Sequence, residues 1–396
     1  MDQGTAVITL LQDVEEQSAL TLNQAGANIT VNLNNHNIYF ASSQSLQLFQ
    51  GNLTLNGTGI VSEKEGGAYY GPVMVYGNSN TDVENTCVLN VNSGVTLRGW
   101  APIFVNGTEV PAESGRRYAN GVVLNVNGAT LDSVVDRDNY GGHCIYVQGT
   151  ITDPGDYPLQ INLTGAKLTA TSGENGDGDG MYLAGYAVTT ITNSTITAGE
   201  EGTGIEIRAG KLTINGDTAV TGGSGEVATY ANGNGLTTDN VGLAVAQHTT
   251  NLELDVTING GTFGGSAAFI QHSPQNEAQT EKVNIKINGG SFASTETGRP
   301  AVYSQDKTGF IYDGYFSSDP SEYAATGYAA VSSDDPDYAF MVAEAADTDV
   351  APATGDPAVD DSQLGDLTPG QKQEVMESAA SVEAEGGELA AAANGV

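Results

Sequence analysis

The chain has 396 residues, 39% of them hydrophobic, with 52 glycines and a formal net charge of −35 from 13 Lys and Arg against 48 Asp and Glu. Such a surface repels phosphate backbones and anionic lipid, which excludes nucleic-acid binding. No run approaches the ~18 apolar residues a membrane span needs, so membrane insertion is excluded too, and Cys87 and Cys144 are too few for a disulfide scaffold.

From the N-terminus, AVITLLQDV (6–14) and ITVNLNNHNIYF (29–40) read as opening coils that form a cap over the first strand edge. One pattern then recurs: an alternating apolar strand, an Asn-Gly style turn, and one more apolar residue. It reads LTLNGTGI (53–60), LNVNSGVTL (89–97), LNVNGATL (124–131), INLTGAKL (161–168), TTITNSTI (189–196), KLTINGDTAV (211–220), VTINGGTF (256–263), IKINGGSF (285–292) and IYDGYF (311–316). Most turns are about 22 to 37 residues apart, which is the signature of a solenoid, and short strands with Gly/Asn turns make it a β-solenoid.

A second strand type alternates with the first, in PVMVYG (72–77), APIFVNG (101–107), GGHCIYVQG (141–149), GDGMYLAG (178–185), GTGIEIRAG (202–210), VGLAVAQH (241–248), SAAFIQH (266–272) and RPAVYSQD (299–306). Like strands stack in parallel around one axis, with apolar residues at period two pointing inward. About nine or ten coils at ~4.8 Å spacing give a column roughly 45 Å long. Cys87 and Cys144 then read as small buried thiols. Inserts at 62–85, 107–120, 132–142, 151–159, 222–240 and 272–281 read as surface loops. The segment 315–342 closes the far edge, so 1–343 is one β-helix. Residues 344–367 read as an acidic disordered linker. Thr368-Pro369-Gly370-Gln371 reads as a helix start, making 368–396 a short helix and the beginning of a further module past Val396.

With these motifs assembled, the chain resembles the right-handed parallel β-helix of the pectate-lyase-like superfamily over roughly residues 5–343. The INGGTF and INGGSF repeats, followed by DGYFSSDPSEY and GYAAVSSDDPDYAFMV, resemble surface proteins of gut anaerobic bacteria in which such β-helices sit on stalks. The resemblance implies a buried ladder of stacked Asn side chains, and Asn92, Asn127, Asn215, Asn259 and Asn288 match its position while Thr164 and Asp313 depart from it. Such Asn residues read as structural, bonding the turn and the next coil.

Enzymes of that superfamily eliminate across a uronate with Ca²⁺, clustered acids and a basic residue, or hydrolyse with paired carboxylates. GGHCIYV (141–147) and GIEIRAGK (204–211) echo two hydrolase blocks, without the acidic blocks that should precede them, and His143 reads as a turn residue. For an elimination, Asp136, Asp138, Asp177, Asp179, Glu206 and Arg208 are expected around one cleft. NGDGDG (175–180) has the opening of a Ca²⁺ loop, making Asp177 and Asp179 a weak candidate, but Tyr186 stands where the last acidic ligand belongs. Tyr140, Tyr146, Tyr182 and Tyr186, with Tyr69, Tyr70 and Tyr76 near them, are expected to offer ring faces to sugars. Gln247-His248 and Gln271-His272 read as a hydrogen-bond ladder one coil apart.

The expected function is a secreted or surface-displayed, non-catalytic, adhesin-like or glycan-binding rod, extracellular and monomeric, with a carbohydrate or host surface ligand and no cofactor unless Ca²⁺. The alternative is a polysaccharide lyase or glycoside hydrolase working in a groove on the β-helix face.

Overall fold

In the computed structural model, residues 4–64, 71–77, 87–105, 119–149, 153–176, 178–233, 235–272 and 277–345 are described. Chain contacts divide the protein into two units, Met1–Ala343 and Glu344–Val396. The linker and helix expected beyond 345 lie outside the described residues, as do Tyr69, Tyr70 and Asp177.

The first unit is a parallel β-helix, right-handed as parallel crossovers in one sheet are. Each coil carries three strands. One face stacks the Asn-turn strands, for example Cys87–Asn92, Val122–Asn127, Leu159–Thr164, Ala187–Thr192 and Gly210–Asn215. A second face stacks the short strands after the turn, such as Val95–Gly99, Thr130–Ser133, Lys167–Thr169 and Thr195–Thr197. A third stacks Val73–Val75, Ile103–Val105, Ile145–Val147, Met181–Leu183, Ile205–Ile207, Val241–Ala246, Ala267–His272 and Val302–Ser304. The second strand type of the sequence is this third face.

The core is a set of columns, because a period of two along each strand meets exact registry between coils. On the Asn face Leu53, Leu89, Leu124, Ile161, Thr189, Leu212 and Val256 follow one another. On the second face Phe263, Phe292 and Phe316 stack with centroids 4.7 and 5.2 Å apart. Cys87 and Cys144 are free and buried within the column. Burial pushes both thiols up, Cys87 to about 12, so neither is a nucleophile at neutral pH.

The Asn side chains form hydrogen-bonded ladders. Nδ2 of Asn92 donates to Asn56 Oδ1 at 2.7 Å, and that of Asn127 to Asn92 at 3.2 Å. The column then passes through Thr164 and Thr192, one residue before the turn residue Asn193, and resumes with Asn215. Asn259 donates to Asn215 and Asn288 to Asn259, each at 2.8 Å. A second ladder runs Thr54, Asn90, Asn125, Asn162. The expected burial is corrected: Asn127 and Asn259 are exposed and Asn92, Asn215 and Asn288 half-buried. Their side chains alternate outward from the Leu and Val columns, so they clamp the coils from outside.

Both ends differ from one another. Phe340–Glu344 pairs antiparallel with Ile311–Phe316 and closes the C-terminal edge. The expected N-terminal cap is absent among the described residues. Thr5–Thr9 pairs on one side with Asn28–Asn32 and leaves Val7 and Ile8 66% and 48% exposed, because this segment is itself a coil.

Candidate functional site

The outward side of the third face carries one continuous column: Gln47, Met74, Phe104, Tyr146, Tyr182, Glu206, Ala244 and Ile270. Its character changes along the axis, from an open groove to a sealed ionic cluster.

The open part is a groove of about 350 Å³ over Met74, Tyr76 and Phe104, rimmed by Ser43, Gln44, Ser45, Gln47, Glu63, Gly71 and Gln148. Tyr76 stacks on Phe49 with centroids 4.5 Å apart and rings parallel to 2°. Gly71 is needed where the chain turns into the third face: its φ is +96°, and a Cβ there would lie 2.0 Å from the Ala101 carbonyl oxygen. Its N–H donates to Glu63 Oε1 at 3.1 Å, which fixes the carboxylate on the rim.

Next along the column the rings pack against each other. Phe104 and Tyr146 stack at 5.1 Å, Tyr146 and Tyr182 at 5.0 Å. Both faces of Tyr146 are therefore occupied, and the other face of Tyr182 carries the Arg208 guanidinium, 5.2 Å from the ring centroid. The expected sugar platform is corrected on this point: Tyr182 is buried and only the edge of Tyr146 is left for a ligand. Tyr186 is buried elsewhere, its hydroxyl donating to Glu253 on the Asn face. Tyr140 is exposed, on the turn that Asp136 organises.

The sealed part holds two of the six expected catalytic residues, Glu206 and Arg208. Arg208 donates from Nη2 and Nε to Glu206 Oε1 at 2.6 and 2.9 Å, and from Nη1 to Asn232 Oδ1 at 3.0 Å. The Thr237 hydroxyl donates to Glu206 Oε2 at 2.6 Å. Asn232 and Thr237 belong to an antiparallel hairpin, Thr229–Asn232 with Gly235–Thr238, that lies over the pair. Arg208 is 0% and Glu206 1% exposed. Burial raises Glu206 above the ordinary carboxyl range against the opposing pull of Arg208, while Glu206 and Tyr182 hold Arg208 above its ordinary value despite the desolvation that works to lower it.

Asp179 adjoins this cluster. Its Oδ1 accepts the Thr203 N–H at 2.8 Å and its Oδ2 lies 3.2 Å from His143 Nδ1. His143 is ringed by Trp100, Tyr146 and Tyr182 at 5.3 to 5.7 Å. The turn reading of His143 thus misses a packed ring whose Nδ1 accepts the Asp179 backbone N–H at 3.3 Å.

The expected cleft is corrected accordingly. Asp136 caps its own turn, accepting the N–H groups of Asp138 and Tyr140 at 2.9 Å each. Asp138 is exposed beside Arg137. Asp179, Glu206 and Arg208 are consumed by partners inside the protein. An elimination base must reach a substrate proton, and Arg208 reaches none from beneath the hairpin. As a Ca²⁺ ligand, Asp179 has its Oδ1 taken by the Thr203 N–H. Among the described residues no three His, Cys, Asp or Glu side chains gather as a metal site. The Gln/His ladder is also corrected: Gln271 and His272 stack on Val245 and Ala246, two residues short of Gln247 and His248.

Sequence reasoning missed Gln47, Met74, Phe104 and Gln148. The signal was available: Gln47, Met74 and Phe104 hold the strand position of Tyr146 in other coils and Gln148 lies two residues beyond Tyr146 in its own, but only the tyrosines of that column were followed.

No protein-family model matches the chain, and no curated protein matches it. Among solved structures it is similar to the crystal structure of the Dettilon tailspike protein, at 10% identity and a TM-score of 0.29. The match covers 78% of this chain and 66% of the tailspike chain, just under two thirds of the latter's length.

Proposed function

We propose that this protein is a secreted or surface-displayed rod that binds a carbohydrate, without cleaving it, in the groove over Met74, Tyr76 and Phe104. The observation that carries the reading is the composition of that groove: the half-buried ring of Tyr76 among Ser, Gln and Glu side chains, above the buried Met74 and Phe104. Sugars present apolar C–H patches and rings of hydroxyls, and such a ring among polar side chains complements both. A column whose coils stabilise their neighbours is a rigid mount for a site of this kind.

The non-catalytic part of the reading is supported by Arg208. It is the base that an elimination on this face would use, and it is saturated with internal partners. The test is a broad glycan array with the full chain, alongside absorbance near 235 nm for unsaturated products and a reducing-sugar assay on plant, host and microbial polysaccharides. Binding without product is expected. Product from any glycan overturns the non-catalytic reading, and a blank array overturns carbohydrate binding.

A further inference from the structure

The hairpin Thr229–Asn232 with Gly235–Thr238 is a two-stranded sheet of its own, separate from the sheet of the column. Its first strand is exposed at every residue. Side chains of three coils fasten it to the third face. Asn232 accepts from Arg208 Nη1 at 3.0 Å and donates to the Tyr182 hydroxyl at 3.3 Å. Thr237 meets Glu206 Oε2 at 2.6 Å, and Thr229 lies 3.0 Å from His272 Nε2. A segment fastened in this way opens when the groups beneath it change charge.

The charges sealed under the hairpin are unequal. Glu206, Asp179 and Arg208 are 1%, 6% and 0% exposed, which sets two carboxyl groups against one guanidinium. The other titratable groups around them bring no cation. His143 accepts the Asp179 N–H on Nδ1 at 3.3 Å, and His248 accepts the Thr250 N–H on Nδ1 at 2.9 Å, so each ring is neutral in that arrangement. Burial lowers His272 below its ordinary value, and Tyr146 and Tyr182 are phenols, uncharged near neutral pH. With both carboxyls ionised the dry site is net negative, whereas one bound proton makes it neutral. Glu206 Oε2 can carry that proton, because its contact with the Thr237 hydroxyl serves equally when the carboxyl donates, and Oε1 still accepts from Arg208. Burial, the largest influence on Glu206, acts in the same direction and raises it to about 7.

From this geometry we propose that the hairpin is a proton-linked strap: closed, it keeps a proton on Glu206 Oε2, and opening releases that proton to solvent. A carboxyl raised in the closed state favours closure most below the ordinary value of 4.5, and that advantage is lost as pH rises to about 7. The strap is therefore tight in acid and loosens toward neutral pH, where it bares the Arg208 guanidinium and the Glu206 carboxylate beside the aromatic column. The device stands apart from what the groove binds.

Hydrogen exchange on the full chain from about pH 5 to 8.5, corrected for the intrinsic rate of each amide at each pH, reads the opening. Opening of Thr229–Asn232 and Gly235–Thr238 is expected to rise roughly tenfold per pH unit from about pH 5 to 7 and to level off above, as release of one proton requires. Val122–Asn127, far from the cluster in the chain, should show no such slope. Glu206→Gln and Asp179→Asn keep the oxygens that Arg208 and Thr203 bond, and each leaves one carboxylate facing one guanidinium. Both variants should abolish the slope. A substitution that merely weakens packing raises opening equally at every pH, which separates proton linkage from lost stability. A flat wild-type profile overturns the proposal, as does a slope that survives in either variant or is shared by Val122–Asn127.

Discussion

Arg208 lies against Glu206, two residues before it, with Nη2 and Nε 2.6 and 2.9 Å from one carboxylate oxygen and neither side chain open to solvent. The pair closes the aromatic column above Tyr182 and ties the Thr229–Asn232 and Gly235–Thr238 hairpin to the third face. It works as a fastener in the fold, and its energetics follow from burial.

Removing one partner leaves an uncompensated charge in a dry site. Arg208→Ala should therefore destabilise the protein by about 3–5 kcal/mol, whereas the paired replacement Glu206→Met/Arg208→Leu should be nearly neutral. Thermal melting of both variants decides this. A single variant that melts like wild type would show that the pair is solvated and the hairpin open.

Thr189 occupies a slot held by Leu or Ile in the neighbouring coils, between Ile161 and Leu212. It is 1% exposed and its hydroxyl has no hydrogen-bond partner. An unsatisfied buried hydroxyl costs about 1–3 kcal/mol, so Thr189→Val should stabilise the protein by roughly 1 kcal/mol. A lower melting temperature for this variant would mean that the hydroxyl is bonded in solution.

His248 is buried, accepts the Thr250 N–H on Nδ1 at 2.9 Å, and is lowered to about 4 from 6.5 by burial first and by Arg208 second. A depressed histidine contributes stability that is present above the unfolded value and lost as pH falls through the folded one. Between pH 6.5 and 4 the wild type should lose on the order of 3 kcal/mol relative to His248→Asn. Parallel stability curves for the two proteins across that window would contradict the placement of His248.

Asn125 both donates to Asn90 and accepts from Asn162, at 2.9 Å each. Asn125→Ala breaks two rungs of a half-buried ladder and should cost about 1–2 kcal/mol. Asn127→Ala, on the exposed ladder, should cost less. Equal melting temperatures for the two variants would show that neither the second bond of Asn125 nor its greater burial adds stability.

The stacking of coils was legible because every repeat carries the same two cues, alternation and an Asn turn. The Asn rungs were legible for the same reason, and only their exposure was misjudged: a side chain opposite Leu124 and Val126 on a two-period strand faces outward. The site was not legible in that way. Glu206 and Arg208 are placed beside Tyr182 by register, but what covers them is a hairpin from an insert with no repeat to betray it. The ring faces of Tyr146 were expected to be free because a sequence shows position along a coil, not that the rings above and below, Phe104 and Tyr182, stack at contact distance. The groove depends on Gln47, Met74 and Gln148, residue types that carry no motif.

On the proposed reading the groove, not the ionic cluster, is the working surface. Hydrogen exchange on the full chain with the strongest array glycan, compared with the free protein, tests it most directly. Slowed exchange at Ser43–Ser45, Gly71 and Gln148, with the Thr229–Thr238 hairpin unchanged, is the predicted result. Slowing at the hairpin with none at the groove would contradict the claim and return Glu206 and Arg208 to the centre of the function.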